Sequence, residues 1–122
     1  MARVFVALGS NLGDRRAHLL WAIEALGRVL SGLACSHITE TEAFGVPDEQ
    51  PPYLNAVVSG ETSMPAEEVL GLLGRFEAAQ GRERRSFRAA RTLDLDLIFY
   101  GQQIIDTPTL QVPHPRFRER RF

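Results

Sequence analysis

A chain of 122 residues with 44% hydrophobic and 24% charged content suits one ordinary globular domain with a real core, and we expect residues 1–122 to form that single domain. A formal net charge of -1 argues against a polymer binder held by a global positive field, and a single cysteine, Cys35, rules out an intramolecular disulfide. All 14 basic residues are Arg, so no lysine can act as a Schiff base, a nucleophile or the lysine of a P-loop.

Arg3 to Leu8 is a short apolar run that reads as a buried strand, and Gly9-Ser10-Asn11-Leu12-Gly13-Asp14 reads as the turn after it. A helix is predicted from Arg15 to Leu30, with Leu19, Leu20, Ile23, Leu26 and Leu30 at helical spacing, Val29 adding to the stripe, Asp14 as N-cap and Gly32 as stop. The Gly9-Ser10-Asn11 corner suits either a plain strand-to-helix turn or a loop that offers backbone N–H groups to an anion.

Ser36 to Ala43 alternates as a second strand, and residues 44–52 hold three prolines and a glycine, which predicts an irregular loop. Tyr53 to Glu61 resumes as a strand. Leu54, Ala56 and Val58 face one way and Tyr53, Asn55 and Val57 the other. Tyr53 and Asn55 are then either satisfied boundary residues or a platform that stacks a flat heterocycle and bonds its edge.

Ser63 is the expected N-cap of a second helix, with Pro65, Glu67 and Glu68 in its first turn and Val69, Leu70, Leu72, Leu73 and Phe76 on its buried face, ending near Gly81. Glu77 reads best as one arm of a surface salt bridge. His18 and His37 read as surface or boundary residues, and Trp21 as helix packing. Residues 82–90 have no apolar period and are dense in arginine, which predicts a mobile loop.

A strand is predicted over residues 91–100. Its alternation sets Leu93, Leu95, Leu97 and Phe99 on one face and Thr92, Asp94, Asp96, Ile98 and Tyr100 on the other. The two carboxylates then stand about 6.5 Å apart along the strand, where like charges disfavour each other unless something positive sits between them. A hard divalent cation such as Mg²⁺ answers that need. A wet edge strand with decorative aspartates is the plainer reading. Gly101 turns the chain, Gln103 to Ile105 is expected to pair back as a short hairpin, and Val112-Pro113-His114-Pro115-Arg116 is too rich in proline for regular structure. Five arginines against one glutamate in residues 82–91, and four against one in 116–121, flank the aspartates with positive charge. That pattern suits a small polyanion.

The order β-α-β-β-α-β points to an α+β, ferredoxin-like fold, an antiparallel sheet with helices on one face. There is no apolar signal segment and no long apolar run, so a cytoplasmic location is expected.

Gly9-Ser10-Asn11-Leu12-Gly13, Tyr53-Leu54-Asn55 after a Pro-rich loop, Gly81-Arg82 with Arg84, Arg91-Thr92-Leu93-Asp94-Leu95-Asp96, and Val112-Pro113-His114-Pro115-Arg116 with Arg120-Arg121-Phe122 together resemble the 6-hydroxymethyl-7,8-dihydropterin pyrophosphokinases of folate biosynthesis. The resemblance runs almost end to end. It implies a ferredoxin-like α/β fold and a diphosphotransferase that moves pyrophosphate from ATP to the hydroxymethyl group of a pterin, leaving AMP. It implies that Asp94 and Asp96 hold two Mg²⁺ ions, and that Arg82, Arg84, Arg91 and His114 meet the triphosphate, with Arg82 and Arg91 joining the aspartates in catalysis. Thr41, Gly45, Tyr53, Asn55 and Phe122 would hold the pterin, and Ile98 would lie against adenine.

The pattern departs from the family at Gly74, where many members carry a polar residue. It departs again at Phe87-Arg88-Ala89-Ala90, where many members carry a longer run with Trp-Gly-Pro or Asn-Ala-Pro and Phe87 would stand in for the missing aromatic cover. Members usually continue past the position of Phe122, so an unusually short member or a shortened chain is expected. The expected partners are small molecules, with no nucleic acid and no membrane, acting on a monomer. A non-catalytic nucleotide- or pterin-binding module is the alternative of a different class, and an RNA-binding domain would want aromatics rather than an acidic pair on its sheet.

Overall fold

A computed structural model of the chain describes residues 1–10, 14–41, 53–80, 93–102, 105–106 and 111–112, with the backbone alone described at Thr41, Tyr53, 105–106 and 111–112. Strands β1 (Ala2–Ser10), β2 (Ser31–Cys35), β3 (Thr39–Thr41), β4 (Tyr53–Thr62) and β5 (Asp94–Tyr100) form one sheet. Its order is β2-β4-β1-β5, with β3 also on β4 and every pairing antiparallel. Two helices, α1 (Arg15–Gly27) and α2 (Ala66–Ala79), complete an α+β fold consistent with the ferredoxin-like arrangement.

Alternation along β1 explains the layering. Val4, Val6 and Leu8 point to the helix side, where they join Leu19, Ala22 and Leu26 of α1, Val69 and Leu73 of α2, and Val58, Leu93, Leu95 and Leu97 in one buried cluster. Both helices therefore cover the same face. Trp21 meets Phe76 edge-to-face at 5.7 Å between ring centroids, joining α1 to α2 as helix packing requires. His18 is half-buried, with Nδ1 2.7 Å from Gln80 Oε1.

Asp14 caps α1, its carboxylate accepting the Ala17 N–H at 3.1 Å. The helix ends at Gly27 rather than Leu30, because Arg28 and Val29 tighten onto the carbonyls of Ala25 and Leu26. Leu30 stays buried without being helical, while Leu20 and Val29 are exposed. Gly32 does not stop the helix. It lies inside β2 at φ 61°, within an irregular stretch of the pairing with β4.

The second strand of the sequence reading starts earlier and is broken in two. Ser36 bridges the break by donating its N–H to Val57 O at 2.8 Å and accepting the Val57 N–H on Oγ at 2.9 Å. β1 continues through Gly9 and Ser10, so those residues belong to the sheet and not to the turn.

Pro65, not Ser63, stands at the start of α2. Its carbonyl receives the N–H groups of Glu68 and Val69, and no side chain caps this end. The Met64 N–H goes to Thr62 Oγ1 at 3.0 Å.

Gly101, at φ 56°, turns the chain after β5 as expected. Beyond it, β6 (Ile105–Asp106) pairs with β7 (Gln111–Val112), so Val112 does enter regular structure. Gln103 and Ile104 lie outside the described residues. No helix among the described residues is long and apolar enough to cross a membrane.

Candidate active site

Pairing register builds the site on the face opposite the helices. Residues directly opposite in an antiparallel ladder share a face. Gly9 lies between Asn55 on β4 and Asp94 on β5, and Ala7 lies between Val57 and Asp96. Two rows follow, Asn55-Gly9-Asp94 and Val57-Ala7-Asp96. Neighbouring strands are about 4.8 Å apart, so Asn55 and Asp94 stand on the order of 10 Å from each other across the row. The middle of each row has almost no side chain. The outer face therefore carries a trough with a Gly9/Ala7 floor, an amide on one wall and two carboxylates on the other.

The next row shows where alternation on β5 fails. Phe5 opposes Phe99 and Val6 opposes Leu97, which leaves Ile98 as an extra residue in a β-bulge. The bulge exchanges the faces expected for the last two residues. Phe99 lies outward and meets Phe5 edge-to-face at 6.0 Å, while Tyr100 turns inward, joins the core and donates its hydroxyl to Met64 O. Ile98 is 4% exposed but is not part of the helix-side cluster.

Asp94 is buried and Asp96 half-buried. Each offers hard carboxylate oxygens, and among the described residues no group of three or more His, Cys, Asp or Glu side chains could hold a metal ion. Two protein carboxylates fit Mg²⁺, which fills its remaining positions with water and phosphate oxygens. Calcium or zinc would ask for a fuller protein cage.

Asn55 is where the sequence reading placed it, half-buried on the trough face and opposite Thr39 on its other side. Thr41 and Tyr53 pair with each other through the backbone at the same end of β4. Gly45, Arg82, Arg84, Arg91, His114 and Phe122 lie outside the described residues, as do Phe87 and residues 82–90.

Glu77 corrects the sequence reading. It is 5% exposed and not a surface residue, and its Oε2 accepts the Leu95 N–H at 2.8 Å. Leu95 is the residue between the two aspartates. The signal was in the helix period, since Ala66, Val69, Leu73 and Glu77 recur on one buried stripe. Gly9 stood out in the sequence only within a corner suited to an anion, and Ala7 not at all, because a floor has no chemistry of its own to notice.

Comparison with known proteins agrees with this architecture. The family described as 7,8-dihydro-6-hydroxymethylpterin-pyrophosphokinase matches residues 5–122. The 2-amino-4-hydroxy-6-hydroxymethyldihydropteridine pyrophosphokinase of Aquifex aeolicus is 37% identical over 122 residues, covering 100% of this chain and 76% of that protein. Its counterpart in Pseudomonas aeruginosa is also 37% identical, over 98% of this chain and 75% of its own length. The folic acid synthesis protein fol1 of Pneumocystis carinii is 38% identical over 98% of this chain, which matches 16% of that longer protein. An antiparallel sheet carrying two aspartates and an asparagine about one trough, matched over nearly its whole length, places the chain in the 7,8-dihydro-6-hydroxymethylpterin pyrophosphokinase family.

Proposed function

We propose that this chain acts as one domain and carries out the pyrophosphokinase reaction of its family in the outer-face trough, with ATP anchored over Asp94 and Asp96 and the pterin seated toward Asn55. The observation that carries the reading is the shared face of Asp94, Asp96 and Asn55 around Gly9 and Ala7. The pterin hydroxymethyl oxygen forms a bond to the β-phosphorus of ATP, and the bond from that phosphorus to the α–β bridging oxygen breaks. AMP leaves with the bridging oxygen, and the hydroxyl proton passes to solvent or to Asp96.

The chain's own residues supply position and charge. Asn55 can both donate to and accept from the amide-like edge of a pterin, which fixes the ring's orientation in the trough. Thr41, Gly45, Tyr53 and Phe122 complete the pterin side, and Ile98 borders the adenine. Arg82, Arg84, Arg91 and His114 meet the triphosphate, where guanidinium forks match phosphate oxygens. Asp94 and Asp96 would hold two Mg²⁺ ions, which supply charge stabilisation on the phosphate oxygens as phosphoryl transfer requires. The acidic pair disfavours a nucleic-acid backbone on this face, and the protein works on small molecules as a cytoplasmic monomer.

The test is AMP formation from ATP with reduced hydroxymethylpterin. AMP is expected to appear in step with pterin consumed, to stop when EDTA removes Mg²⁺, and to resume when Mg²⁺ is returned. Binding of both ligands without AMP would mean a binding module instead. AMP formation unaffected by EDTA would remove the metal from the account.

A further inference from the structure

We infer that Glu77 is a positioning residue for the two aspartates, acting through the backbone of β5 and not as a ligand. The inference rests on the reading of Asp94 and Asp96 as Mg²⁺ ligands. Among the described residues β5 ends the five-stranded sheet, with β1 as its strand partner. In an antiparallel ladder, successive residues turn their N–H groups to opposite sides of the strand. Asp94 and Asp96 lie opposite Gly9 and Ala7, while the Leu95 N–H between them goes to Glu77.

An edge strand left to water can twist or slip, and a one-residue slip would move both aspartates to the helix face. Glu77 prevents this from α2, a different element, by holding the central peptide of the Asp-Leu-Asp run at 2.8 Å from a buried carboxylate oxygen. A charged acceptor bonding a backbone N–H is roughly twice as strong as a neutral one.

Three features separate this role from others. Glu77 is on the stripe with Val69 and Leu73, one turn after Leu73, so an apolar residue would satisfy the core at that position. A buried carboxylate there costs desolvation that only its partners can offset. No group of three candidate ligands gathers around the aspartates among the described residues, so Glu77 does not join them as a third donor. Residues that orient metal ligands without touching the metal typically change metal affinity by 10- to 100-fold when removed.

The experiment reads metal binding directly. Mn²⁺ serves as the probe in the presence of α,β-methylene-ATP, with free Mn²⁺ followed by electron paramagnetic resonance. Hydrogen exchange at the Leu95 amide reports the bond itself. Glu77→Ala should deprotect that amide and weaken Mn²⁺ binding roughly 10-fold or more. Glu77→Gln, which keeps an acceptor oxygen, should restore binding to within about threefold of the parent by keeping that amide bonded.

If Glu77→Ala does not fold, Glu77→Met fills the same space without a strong acceptor and takes its place. Exchange protection lost with Mn²⁺ affinity unchanged would overturn the inference, since Glu77 would then be a purely structural pin. Glu77→Gln as weak as Glu77→Ala would also overturn it, because charge and not the backbone bond would be acting. Failure of both acceptor-free variants to fold would reduce Glu77 to a fold determinant and reject the separate role. Asp94→Asn distinguishes the underlying reading: if it leaves Mn²⁺ affinity intact, the ligand assignment fails first.

Discussion

Gly9 has the smallest side chain in the site and sets its shape. Asn55 and Asp94 can serve one ligand only if no side chain of their own row stands between them, and glycine at the centre of the row supplies none. Gly9→Val keeps a residue suited to strands but drives two methyl groups into the trough. The expected result is a folded protein with kcat/KM for the pterin reduced on the order of 10²-fold, measured by AMP release. Activity within a factor of two of the parent would show that the ligand does not cross Gly9.

Tyr100 gives a contrasting case, a polar residue that serves the fold and not the site. Its hydroxyl donates to Met64 O from the core side. Tyr100→Phe should lower stability by about 1 kcal/mol in urea unfolding and leave turnover unchanged. A loss of turnover with stability intact would place Tyr100 in the site after all.

At the scale of elements, the hydrophobic periods carried most of the information. Strands β1, β4 and β5, both helices and the inward set of β4 could be read from spacing, because burial on one face forces periods of two and 3.6, whereas β2 was not read at all. The misreadings fall where a period is interrupted for a local reason. Two residues of β5 opposing one on β1 cannot be seen without the partner strand, so Phe99 and Tyr100 exchanged faces. Ser36 holding a broken edge strand, and Pro65 starting α2 in place of Ser63, depend likewise on backbone partners.

Gly60 marks another such contact, since a Cβ there would lie 2.8 Å from Leu30 Cβ and 3.3 Å from Ser31 O. The chain leaving α1 is pressed against β4 at this point. Gly60→Ala should therefore destabilise the protein by about 1–3 kcal/mol, read from the urea midpoint, without changing the pterin KM. A neutral or stabilising effect would mean that Leu30 moves aside freely.

For the whole molecule, a helix-covered face holds the fold, and the proposed chemistry belongs to the outer face. Leu8, Leu95 and Val58 point one way, while their neighbours Gly9, Asp94, Asp96 and Val57 point the other. The same alternation that makes the core thus brings the site together. The acidic pair and Asn55 were legible in the sequence because charge and amide groups are out of place in strands. Glu77 was not, because a lone carboxylate on a helix surface is the commoner case and only the packing of α2 on β5 shows that it is buried. The substrate came from resemblance, since spacing gives geometry but does not name a ring.

The two carboxylates of β5 are proposed to anchor the transferred pyrophosphate. The most direct measurement is single-turnover AMP formation by Asp94→Asn and Asp96→Asn with Mg²⁺, ATP and the reduced hydroxymethylpterin all saturating, in variants whose unfolding midpoints match the parent. Loss of several kcal/mol of charge stabilisation predicts a rate lower by about 10³-fold or more for each. A rate within tenfold of the parent in either variant would contradict the account.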